Sequence, residues 1–596
     1  MAPVCAPAIQ KVVLRDATSG EWLVFGTPEE VCSARDRADV AGALSRACRL
    51  VEDEQLYAAG FVCYEASAGL DPALVTHPGG PLPLVCLGLF RAPERLDRLP
   101  DAGRPGPRHD WAFVGTRQEY LAAIAAIKVE IAAGNTYQVN YTVRQRAEGI
   151  QDAWGLFLTM ARDAPYAAYI ECGSHAIVSA SPELFFELDG DKLLCRPMKG
   201  TAARGMTTAE DRERRRALNE SVKDRAENVM IADMVRNDLG RIAVPGTVVA
   251  EALYAIEKYR TVWQMTSTVS ASTRAPVADI FRAVFPSASV TGAPKVASMK
   301  LIAALEDSPR QVYTGAIGYI APHRRARFSV AIRTAVVDRK SGTGVYGVGG
   351  GIVWDSDAAD EYQECLNKAR VLGTSVPEKD FSLLETMLWT CGDGFALLGE
   401  HLERLEASAE YFDFSLDQMV LEKRLTALGA TLSPAVKHRV RLLLHRNGSA
   451  EIEARAIPPD IENRPFRLAL AMSPVNTRDP FLYHKTTERE VYEQALTAAG
   501  SCDDVLLWNE ERNLTECSIG NVVLRFQGLL WTPPVSSGLL AGTFRGKLLR
   551  EGVIRERVIG VAELANAEAI YLVNSVRGWV PCELLGSKTD SRRAIR

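Results

Sequence analysis

The stretch GVGGGIVWDSDAADEYQECLNKAR, residues 347 to 370, changes from strand-like to helix-like sequence within a few residues. Its glycine-rich start is typical of a strand end. The DSD triplet that follows is a helix-capping signal, because an aspartate side chain can accept a hydrogen bond from a free backbone N–H. The stretch therefore predicts a strand joined directly to a helix.

Three polar residues of that helix, Glu361, Glu364 and Lys368, lie at i, i+3 and i+7 and share one face. Two interpretations of this face stay open. A glutamate and a lysine four residues apart often form a solvated ion pair. Two carboxylates on one face also suit Mg2+, which commonly takes one or two carboxylates together with water and substrate oxygens.

The neighbouring sequence shows the same mixture of elements. Residues 167–188 are apolar and aromatic with Gly, Ser and Pro between them, as strands would be, whereas residues 208–242 have long helical sequence. Short strands and long helices without regular alternation predict the α+β class. On a helical wheel of the second helical run, Glu227 falls between Ile231 and Met234 and so shares a side with apolar residues. Its carboxylate is therefore expected to be paired, protonated or bound to a cation.

The chain length of 596 residues predicts at least two domains, since one hydrophobic core does not grow to that size. Residues 91–111 are rich in proline, arginine and glycine and predict a long surface connection. A second break at residues 373–382 follows a helix-like run and precedes a new apolar pattern. We therefore expect one domain over residues 1–372 and another over residues 378–596.

Composition and charge exclude several classes of protein. A net charge of −5 without a basic stripe argues against a nucleic-acid partner. The twelve cysteines contain no C-x-x-C pair and the eight histidines form no metal-binding cluster, so neither a zinc site nor a disulfide framework is expected. No segment reaches the roughly 18 apolar residues of a membrane span, and the first residues lack a secretory pattern. These features predict a cytoplasmic protein that does not enter a membrane.

Six ordered motifs between about residues 115 and 370 resemble the chorismate-utilising enzymes, which include anthranilate, aminodeoxychorismate, isochorismate and salicylate synthases. The motifs are RPMKGT, ENVMIADMVRNDLGRI, FPSASVTGAPKVASMKLI, VYTGAIGYI, FSVAIRT and GGGIVWDSDAADEYQECLNKA. The resemblance implies facing β-sheets with outer helices, and a single Mg2+ that holds the ring carboxylate of chorismate. By motif position the ligands of this Mg2+ are Glu227 and Glu364, with Glu361 beside them.

The stretch CRPMKGTAARG, residues 195 to 205, indicates which subtype the chain resembles. Aminodeoxychorismate synthases carry a lysine where Lys199 stands in P-M-K-G-T, whereas anthranilate synthases carry an alanine. The resemblance makes Lys199 the expected nucleophile. It would attack C2 of the ring and expel the 4-hydroxyl, after which ammonia adds at C4 and releases the lysine. Without the neighbouring motifs, Lys199 would be interpreted as a lysine on a surface loop.

Other site residues follow from the same resemblance. Gln138 stands where isochorismate and salicylate synthases have a lysine that activates water, so hydroxylation at C2 is disfavoured. Glu183 matches the general acid that protonates the leaving hydroxyl, although an exposed strand position would explain it equally well. Gln264 replaces the histidine of many relatives, which puts any proton transfer at that position in doubt. The expected chorismate-binding residues are Gln138, Thr201, Thr291, Gly292, Gly315, Arg333 and Gly349.

The source of the amino group is a separate question. The chain shows no nucleophile-elbow cysteine followed by H-x-E, so no glutaminase is expected within it. Ammonia must then come from solution or from a separate glutamine amidotransferase subunit. The first hundred residues also lack an LLES-type segment, so feedback by tryptophan is not expected.

A second ordered set of motifs, between about residues 380 and 580, resembles the fold type IV pyridoxal-phosphate enzymes. These include branched-chain and D-amino acid aminotransferases and 4-amino-4-deoxychorismate lyase. Lys485 matches the lysine that holds the cofactor as a Schiff base, Glu516 the carboxylate opposite the pyridine nitrogen, and Arg404 a phosphate ligand. Gly542 and Thr543 begin an expected helix whose free N–H groups favour phosphate. The motifs are FSLLETMLW, LLGEHLERLEASAEYFDF, HKTTEREVYEQAL, DDVLLWNEERNLTECSIGNVVL and LLWTPPVSSGLLAGTFRGKLLREG.

Each of these residues has a plain structural alternative. Lys485 would otherwise be a loop lysine, Glu516 a turn residue and Arg404 part of a charged helix face. The usual N-terminal hairpin of such domains is missing before FSLLETMLW, so either the first domain supplies that surface or the second half is impaired. The resemblance also implies a homodimer through this domain.

The two resemblances together imply synthesis of 4-aminobenzoate for folate, with a second domain that eliminates pyruvate from aminodeoxychorismate. Lys485 would remove the C4 proton, and Thr386 lies near the active-site threonine of the lyases. An aminotransferase would share every cofactor residue. The alternatives are therefore a branched-chain or D-amino acid aminotransferase in the second half and an anthranilate-type synthase in the first. A sensor or scaffold protein with decayed sites is the alternative outside enzymes.

Overall fold

The computed structural model describes residues 9–100, 109–161, 164–369, 381–458 and 464–585. Two compact units are formed, one by Met1–Ala203 with Arg215–Glu378 and the other by Arg204–Arg214 with Lys379–Arg596. Part of the expected connection, residues 101–108, and most of the second expected break, residues 373–380, lie outside the described residues. The mixed α+β class is confirmed in both units.

The strands of the first unit form two ten-stranded sheets. The first sheet has the order β16-β8-β20-β19-β10-β9-β1-β2-β6, with β7 paired to β8, and the second has the order β13-β15-β12-β11-β18-β17-β4-β5-β3, with β14 paired to β15. The strands are β1 (Ile9–Arg15), β2 (Trp22–Phe25), β3 (Glu30–Ala34), β4 (Tyr57–Val62), β5 (Val85–Phe90), β6 (Glu94–Leu96), β7 (Ala112–Phe113), β8 (Gln138–Ala147), β9 (Tyr166–Cys172), β10 (His175–Ser181), β11 (Leu184–Asp189), β12 (Lys192–Arg196), β13 (Met198–Ala203), β14 (Val249–Lys258), β15 (Val262–Ser272), β16 (Gly292–Ala293), β17 (Ala316–Ala321), β18 (Arg325–Val330), β19 (Thr334–Asp338) and β20 (Thr343–Ile352).

The two sheets face each other across an apolar core. Val12 and Ile170 of the first sheet belong to the same buried cluster as Phe61 and Ile317 of the second. Helices cover the outer faces, as the resemblance implied: α1, α6 and α7 pack on the second sheet, and α3, α4, α8 and α9 on the first. The helices are α1 (Val40–Asp53), α2 (Ser67–Leu70), α3 (Arg117–Ala132), α4 (Ala153–Met160), α5 (Thr208–Glu220), α6 (Val222–Gly240), α7 (Val277–Val284), α8 (Lys295–Leu305) and α9 (Ala358–Ala369).

Local capping explains where the helices that carry site residues begin. The side chain of Ser221 accepts a hydrogen bond from the Asp224 N–H at the start of α6. Asp357 accepts from the N–H groups of Ala359 and Asp360 at the start of α9, which confirms the expected capping role of the DSD triplet. Both helices therefore start at polar residues that contiguous sequence reveals.

The second unit contains a four-stranded and an eight-stranded sheet, with orders β22-β21-β23-β24 and β27-β26-β25-β32-β31-β28-β29-β30. Leucines of α10 and α11 pack on the smaller sheet. The strands are β21 (Leu383–Thr390), β22 (Gly394–Phe395), β23 (His438–Leu444), β24 (Ala450–Ala456), β25 (Phe466–Leu470), β26 (Asp504–Trp508), β27 (Leu514–Cys517), β28 (Gly520–Phe526), β29 (Leu529–Thr532), β30 (Arg555–Glu556), β31 (Ala569–Asn574) and β32 (Gly578–Leu584). The helices are α10 (Leu398–Phe412), α11 (Gln418–Gly429), α12 (Glu490–Ala499) and α13 (Thr543–Arg550).

One segment of the second unit comes from far upstream. In residues 204–214, Thr208 donates to the Ala407 carbonyl at 2.7 Å, and the Gly205 carbonyl accepts from the Tyr411 hydroxyl at 2.8 Å. Arg204 lies 4.5 Å above the Tyr411 ring. No sequence pattern indicated that this segment, which follows β13 directly, belongs to the second unit.

Two further observations concern the whole described chain. No helix within the described ranges is long and apolar enough to cross a membrane. The eleven cysteines in those ranges form no disulfide bond with one another.

Candidate active sites

Lys199 lies on β13, directly before a sharp bend. Gly200 has a φ of +98°, in the region that favours glycine, and a Cβ there would lie 3.0 Å from the Asp224 Cβ. Gln264 holds the bend from the neighbouring strand: its Nε2 donates to the Gly200 carbonyl at 2.8 Å and its Oε1 accepts from Thr201 at 2.9 Å. Gln264 therefore has a structural function in this chain, as a brace for the residue after Lys199.

The Lys199 ammonium forms an ion pair with Glu227 of α6. The Nζ to Oε2 distance is 3.0 Å, and the two side chains are 20% and 13% exposed. Asn228 donates to the Lys199 carbonyl at 3.1 Å, which fixes the backbone. Lys199 is thus a partly buried residue of an ordered strand, and the alternative of a surface-loop lysine is wrong.

Because Gly351 of β20 has no side chain, the ends of the Lys199 and Gln138 side chains can both lie next to it. A Cβ on Gly351 would lie 2.7 Å from the Lys199 Nζ and 2.4 Å from the Gln138 Nε2. Gln138 is buried, and its Oε1 has no hydrogen-bond partner among the described residues. A buried amide oxygen without a partner is costly, so this oxygen is suited to accept a hydrogen bond from a ligand.

Glu183 is buried and hydrogen-bonded. Burial raises the pKa of Glu183 to about 7, against the opposing effects of the Ser289 hydrogen bond and the Lys199 charge. The Ser289 hydroxyl donates to its Oε1 at 2.6 Å. A carboxyl group with this pKa is about half protonated at neutral pH, so it can act as a general acid. The alternative of an exposed strand glutamate is wrong.

The three expected metal ligands differ in their surroundings. Glu364 forms the ion pair with Lys368 at 2.8 Å that helical spacing suggested, whereas Glu361 accepts from Ser356 at 2.7 Å. Burial raises the pKa of Glu361, and the neighbouring Glu364 charge adds to the effect. Burial would also raise the pKa of Glu364, but the Lys368 charge lowers that pKa below its usual value.

The donor set suits Mg2+ only in part. The carboxylate oxygens of Glu361 and Glu364 are the ligand type that Mg2+ prefers, and burial raises the pKa of Glu361 although the Lys199 and Lys368 charges oppose the rise. Glu227 is engaged by Lys199. Within the described residues no three such side chains lie close enough to hold an ion by themselves, so water and substrate oxygens would have to complete the shell.

Arg333 has a guanidinium without a carboxylate partner. Burial lowers its pKa, and no hydrogen bond or ion pair joins its side chain to another described residue. Its backbone has a φ of +51°, an uncommon conformation for a residue other than glycine. A deep, unpaired guanidinium fits a ligand carboxylate, which would supply the missing charge.

Close packing explains why three of the expected chorismate-binding residues are glycines. A Cβ would lie 2.1 Å from the Gln138 carbonyl oxygen at Gly292, 2.2 Å from that of Val62 at Gly315, and 2.3 Å from that of Tyr141 at Gly349. Thr291 is also buried, and donates to the Ser287 carbonyl at 3.1 Å. These contacts account for the residue types, and a role in binding chorismate stays a prediction.

Lys485 lies at the centre of the second site. Burial, and next the Arg404 charge, lower the pKa of Lys485 to about 8. It forms no ion pair with the described residues. An amine in this state is available as a neutral nucleophile near physiological pH, as a covalent bond to an aldehyde requires. Lys485 does lie outside the helices and strands, as the loop alternative predicted, but it is only partly exposed and lines a cavity.

Glu516 is buried opposite Lys485 in the same cavity. Its carboxylate accepts from the Tyr492 hydroxyl at 2.8 Å and from the Asn521 Nδ2 at 3.2 Å. Burial raises the pKa of Glu516 to about 7 despite these bonds. A protonated pyridine nitrogen would supply the cation that this carboxylate lacks, so the residue fits the expected cofactor.

Arg404 is held by a buried network that the sequence did not indicate. Its Nε and Nη2 donate to the two oxygens of Glu385 at 2.9 and 2.6 Å, and its Nη1 donates to the Ala541 carbonyl at 3.2 Å. His401 lies between Glu385, 2.6 Å away, and the Thr543 hydroxyl, 3.3 Å away. Burial alone would raise the pKa of Glu385, but the Arg404 charge and the His401 hydrogen bond lower it to about 2.

One cavity of about 1310 Å³ joins these groups. It is lined by Lys485 and Glu516, by Gly542 and Thr543 at the start of α13, and by Thr386 of β21. A buried amine, an acid without a cation and a helix start with an arginine beside it are what pyridoxal phosphate needs. The described residues therefore fit this cofactor.

Four residues of these sites escaped the sequence analysis: Glu385, His401, Tyr492 and Ser289. His401 and Arg404 lie three residues apart on α10, so helical spacing could have linked them. Glu385 is adjacent to Thr386 in the LLET motif. Tyr492 and Ser289 had no local signal, because their partners are more than twenty residues away in sequence.

Comparisons with known proteins match two separate parts of the chain. Residues 92–374 match the family of chorismate binding enzymes, and residues 382–585 match the class IV amino-transferases. An aminodeoxychorismate synthase of Streptomyces griseus is 42% identical over 302 residues, which cover 49% of this chain and 40% of the relative. Aminodeoxychorismate synthase component 1 of Salmonella typhimurium is 39% identical over 264 residues, which cover 43% of this chain and 57% of the relative.

A solved structure shares the fold of the first unit. Anthranilate synthase component I from Streptococcus pneumoniae has a TM-score of 0.50 and 21% identity, and the match covers 63% of this chain and 93% of that one. The chain spans 40 to 57% of the length of the two curated relatives named above.

Proposed function

We propose that this chain, which joins an aminodeoxychorismate synthase-like chorismate-binding domain to a class IV amino-transferase or lyase-like domain, makes 4-aminobenzoate from chorismate for folate synthesis. The observation that carries the proposal is the position of Lys199. It lies 3.0 Å from Glu227 and meets the buried Gln138 amide above Gly351. Anthranilate synthases carry an alanine at this position.

The first step uses side chains of the first unit. The Lys199 amine attacks C2 of chorismate, and the proton of Glu183 goes to the leaving 4-hydroxyl, which departs as water. Ammonia then adds at C4 and the lysine leaves C2, so the lysine is restored. Arg333 binds a carboxylate of the substrate. Gln138, Thr201, Thr291, Gly292, Gly315 and Gly349 complete the chorismate site.

Mg2+ would be held by Glu361 and Glu364, with Glu227 as the further ligand once Lys199 has moved to the substrate. When bound, the ion neutralises the ring carboxylate of chorismate. Ammonia comes from solution or from a separate glutamine amidotransferase subunit, a division that the name component 1 of the Salmonella relative suggests.

The second step uses the cavity around Lys485. Pyridoxal phosphate, when bound, supplies an electron sink. Glu516 holds the proton on its ring nitrogen, and Arg404 with the Gly542–Thr543 helix start binds its phosphate. Lys485 removes the proton at ring C4 of the aminated product. Pyruvate then leaves, and Thr386 orients the substrate.

Location and assembly belong to the same proposal. We place the reactions in the cytoplasm, where reduced cysteines are the norm. A homodimer through the second unit would be in keeping with the resemblance to fold type IV enzymes. Nucleic acid and membranes are not among the proposed partners.

The deciding experiment is incubation of the full-length protein with chorismate, Mg2+, pyridoxal phosphate and ammonium, with products identified by chromatography and mass. Formation of 4-aminobenzoate supports both halves of the proposal. Accumulation of aminodeoxychorismate would instead indicate an aminotransferase or an impaired lyase in the second half. Formation of anthranilate would contradict the role of Lys199.

A further inference from the structure

The cavity around Lys485 has a strongly basic lining. Ten lysine and arginine residues line it, but only two carboxylates, those of Glu488 and Glu516. The cofactor site accounts for Lys485 and Arg404. The remaining positive charge lies where a substrate would enter.

Two of these arginines stand side by side on β23. Along this strand His438, Val440, Leu442 and Leu444 point into the core, so Arg439 and Arg441 point to the opposite face, towards the cavity. Residues two apart on a strand are separated by about 7 Å. Arg439 and Arg441 form no hydrogen bond or ion pair through their side chains with the described residues. Arg455 of β24 is the register partner of Arg439 and is paired with Glu453 at 2.7 Å, and Glu453 is the register partner of Arg441.

The expected substrate threonine lies beside this pair. Thr386 is the register partner of Arg441 in the ladder between β21 and β23. The Thr386 carbonyl accepts from the Ser575 hydroxyl at 3.2 Å, which brings the turn after β31 to the same edge of the cavity. That turn contributes Arg577, whose guanidinium lies 5.4 Å above the Phe466 ring. Positive side chains therefore flank Thr386 on two sides.

We infer that Arg439 and Arg441 determine specificity: they bind carboxylate groups of the substrate and make the cavity selective for a dicarboxylate. This inference rests on the proposed function and deepens it, since aminodeoxychorismate carries two carboxylates. A branched-chain amino acid has one carboxylate and an apolar side chain. Binding such a side chain would remove water from two guanidinium groups and give them no new hydrogen-bond acceptor.

The test uses the full-length protein loaded with pyridoxal phosphate and two inert probes. One is 3-(1-carboxyethoxy)benzoate, a dicarboxylate, and the other is 3-isopropoxybenzoate, in which a methyl group replaces the second carboxylate. Binding is measured from the absorbance change of the cofactor, which reports on the Lys485 cavity and not on the chorismate site. An unchanged cofactor spectrum before the probe is added shows that a variant has folded.

We expect the dicarboxylate to bind at least about tenfold more tightly than the monocarboxylate. Arg439→Met and Arg441→Met should each reduce dicarboxylate affinity by about tenfold and leave monocarboxylate affinity nearly unchanged. Arg424→Met, the control, should change neither, because Arg424 is exposed on α11, which packs on the opposite face of the same sheet and does not line the cavity.

Three results would overturn the inference. They are equal affinity of the wild-type protein for the two probes, equal losses for both probes in the β23 variants, and an equal loss in the Arg424→Met control. Failure of the proposed function looks different. In that case no 4-aminobenzoate forms, yet the preference for the dicarboxylate and its dependence on Arg439 and Arg441 remain.

Discussion

Lys199 and Lys485 are both candidate nucleophiles, but the two units surround them differently. Lys199 has a carboxylate partner 3.0 Å away, and its charge also reaches Glu183 and Glu361. Lys485 forms no ion pair with the described residues, and burial together with the Arg404 charge lowers its pKa to about 8. Lys199 is held in an ion pair, whereas the surroundings of Lys485 favour its neutral form.

The difference fits the two reactions. In the first unit a substrate has to compete with Glu227 for the lysine, so the amine is not available until an anionic ligand rearranges the ion pair. In the second unit a neutral amine has to react with an aldehyde, and a low pKa favours that form at neutral pH. Similar residues thus acquire different chemistry from burial and from the sign of the nearest charges.

The largest expected effect comes from reciprocal lysine variants. Lys199→Ala should reduce amination of chorismate by at least about 10³-fold and leave elimination from supplied aminodeoxychorismate unchanged. Lys485→Ala should do the opposite, with aminodeoxychorismate accumulating. Product analysis by chromatography separates the two. If either variant lost both activities while still folded, the comparison between independent sites would fail.

A smaller effect is expected from adding one methyl group at each site. In Gly351→Ala the new Cβ would lie 2.7 Å from the Lys199 Nζ and 2.4 Å from the Gln138 Nε2. Both atoms end long side chains that can move, so the protein should fold, while amination falls by about 10²-fold because the reacting groups are displaced.

Gly542→Ala is the matched change in the second unit. The added Cβ would lie 2.0 Å from the Asn521 Oδ1, so it would displace the Asn521 amide, whose Nδ2 donates to Glu516. Elimination and cofactor affinity should fall, and amination should not. Gly42→Ala in α1 is the control, as no atom lies within 4 Å of the added Cβ. Rates measured on all three variants, with thermal unfolding as the check on folding, give the comparison.

Opposite pH dependences should distinguish the two sites. Glu183 has to be protonated to act as an acid, and its pKa is about 7, so amination should fall about tenfold per unit above pH 7 when the concentration of free ammonia is kept constant. Lys485 has to lose its proton, and its pKa is about 8. The rate at which the cofactor-free protein binds pyridoxal phosphate should therefore rise to about pH 8 and then level off. A rate that still rises at pH 10 would refute the assigned state of Lys485.

The smallest expected effect concerns the hydrogen bond to Glu183. Ser289→Ala removes a donor that lowers the Glu183 pKa, so the falling limb of the amination profile should move to higher pH. The maximum rate should fall by roughly fivefold, because the carboxyl group loses one orienting bond. Ser287→Ala removes a hydroxyl 2.9 Å from Ser289 that is not a donor to Glu183, and it should change the profile less. If the falling limb of the amination profile does not move in Ser289→Ala, Ser289 does not position the Glu183 carboxyl group.

Much of the fold was accessible from sequence, because local patterns encode it. The DSD triplet predicted the start of α9, and the spacing of Glu364 and Lys368 predicted the ion pair that the structure contains. Six ordered motifs led to the two facing sheets. The segment 204–214 was not predictable, because nothing in its own composition indicates that it packs on Tyr411, some two hundred residues later.

The candidate sites divide in the same way. Lys199, Glu183 and Lys485 could be named from their motifs, but their state could not, since burial and the nearest charges depend on distant strands. Gln264 is the clearest case. In the sequence, Gln264 differs from the histidine that many relatives have at this position. In the structure, it holds the Gly200 backbone through a hydrogen bond to its carbonyl.

The sequence by itself determined which residue types are present and how contiguous residues form strands and capped helices, because hydrogen bonding and side-chain periodicity act over a few positions. Only the tertiary structure decided that Gln138, Lys199 and Gly351 meet, and that Glu385 holds Arg404 beside Lys485. Those contacts follow from strand register and sheet packing between residues far apart in the chain. The same packing removes water, and loss of water is what sets the pKa of Glu183 and Lys485.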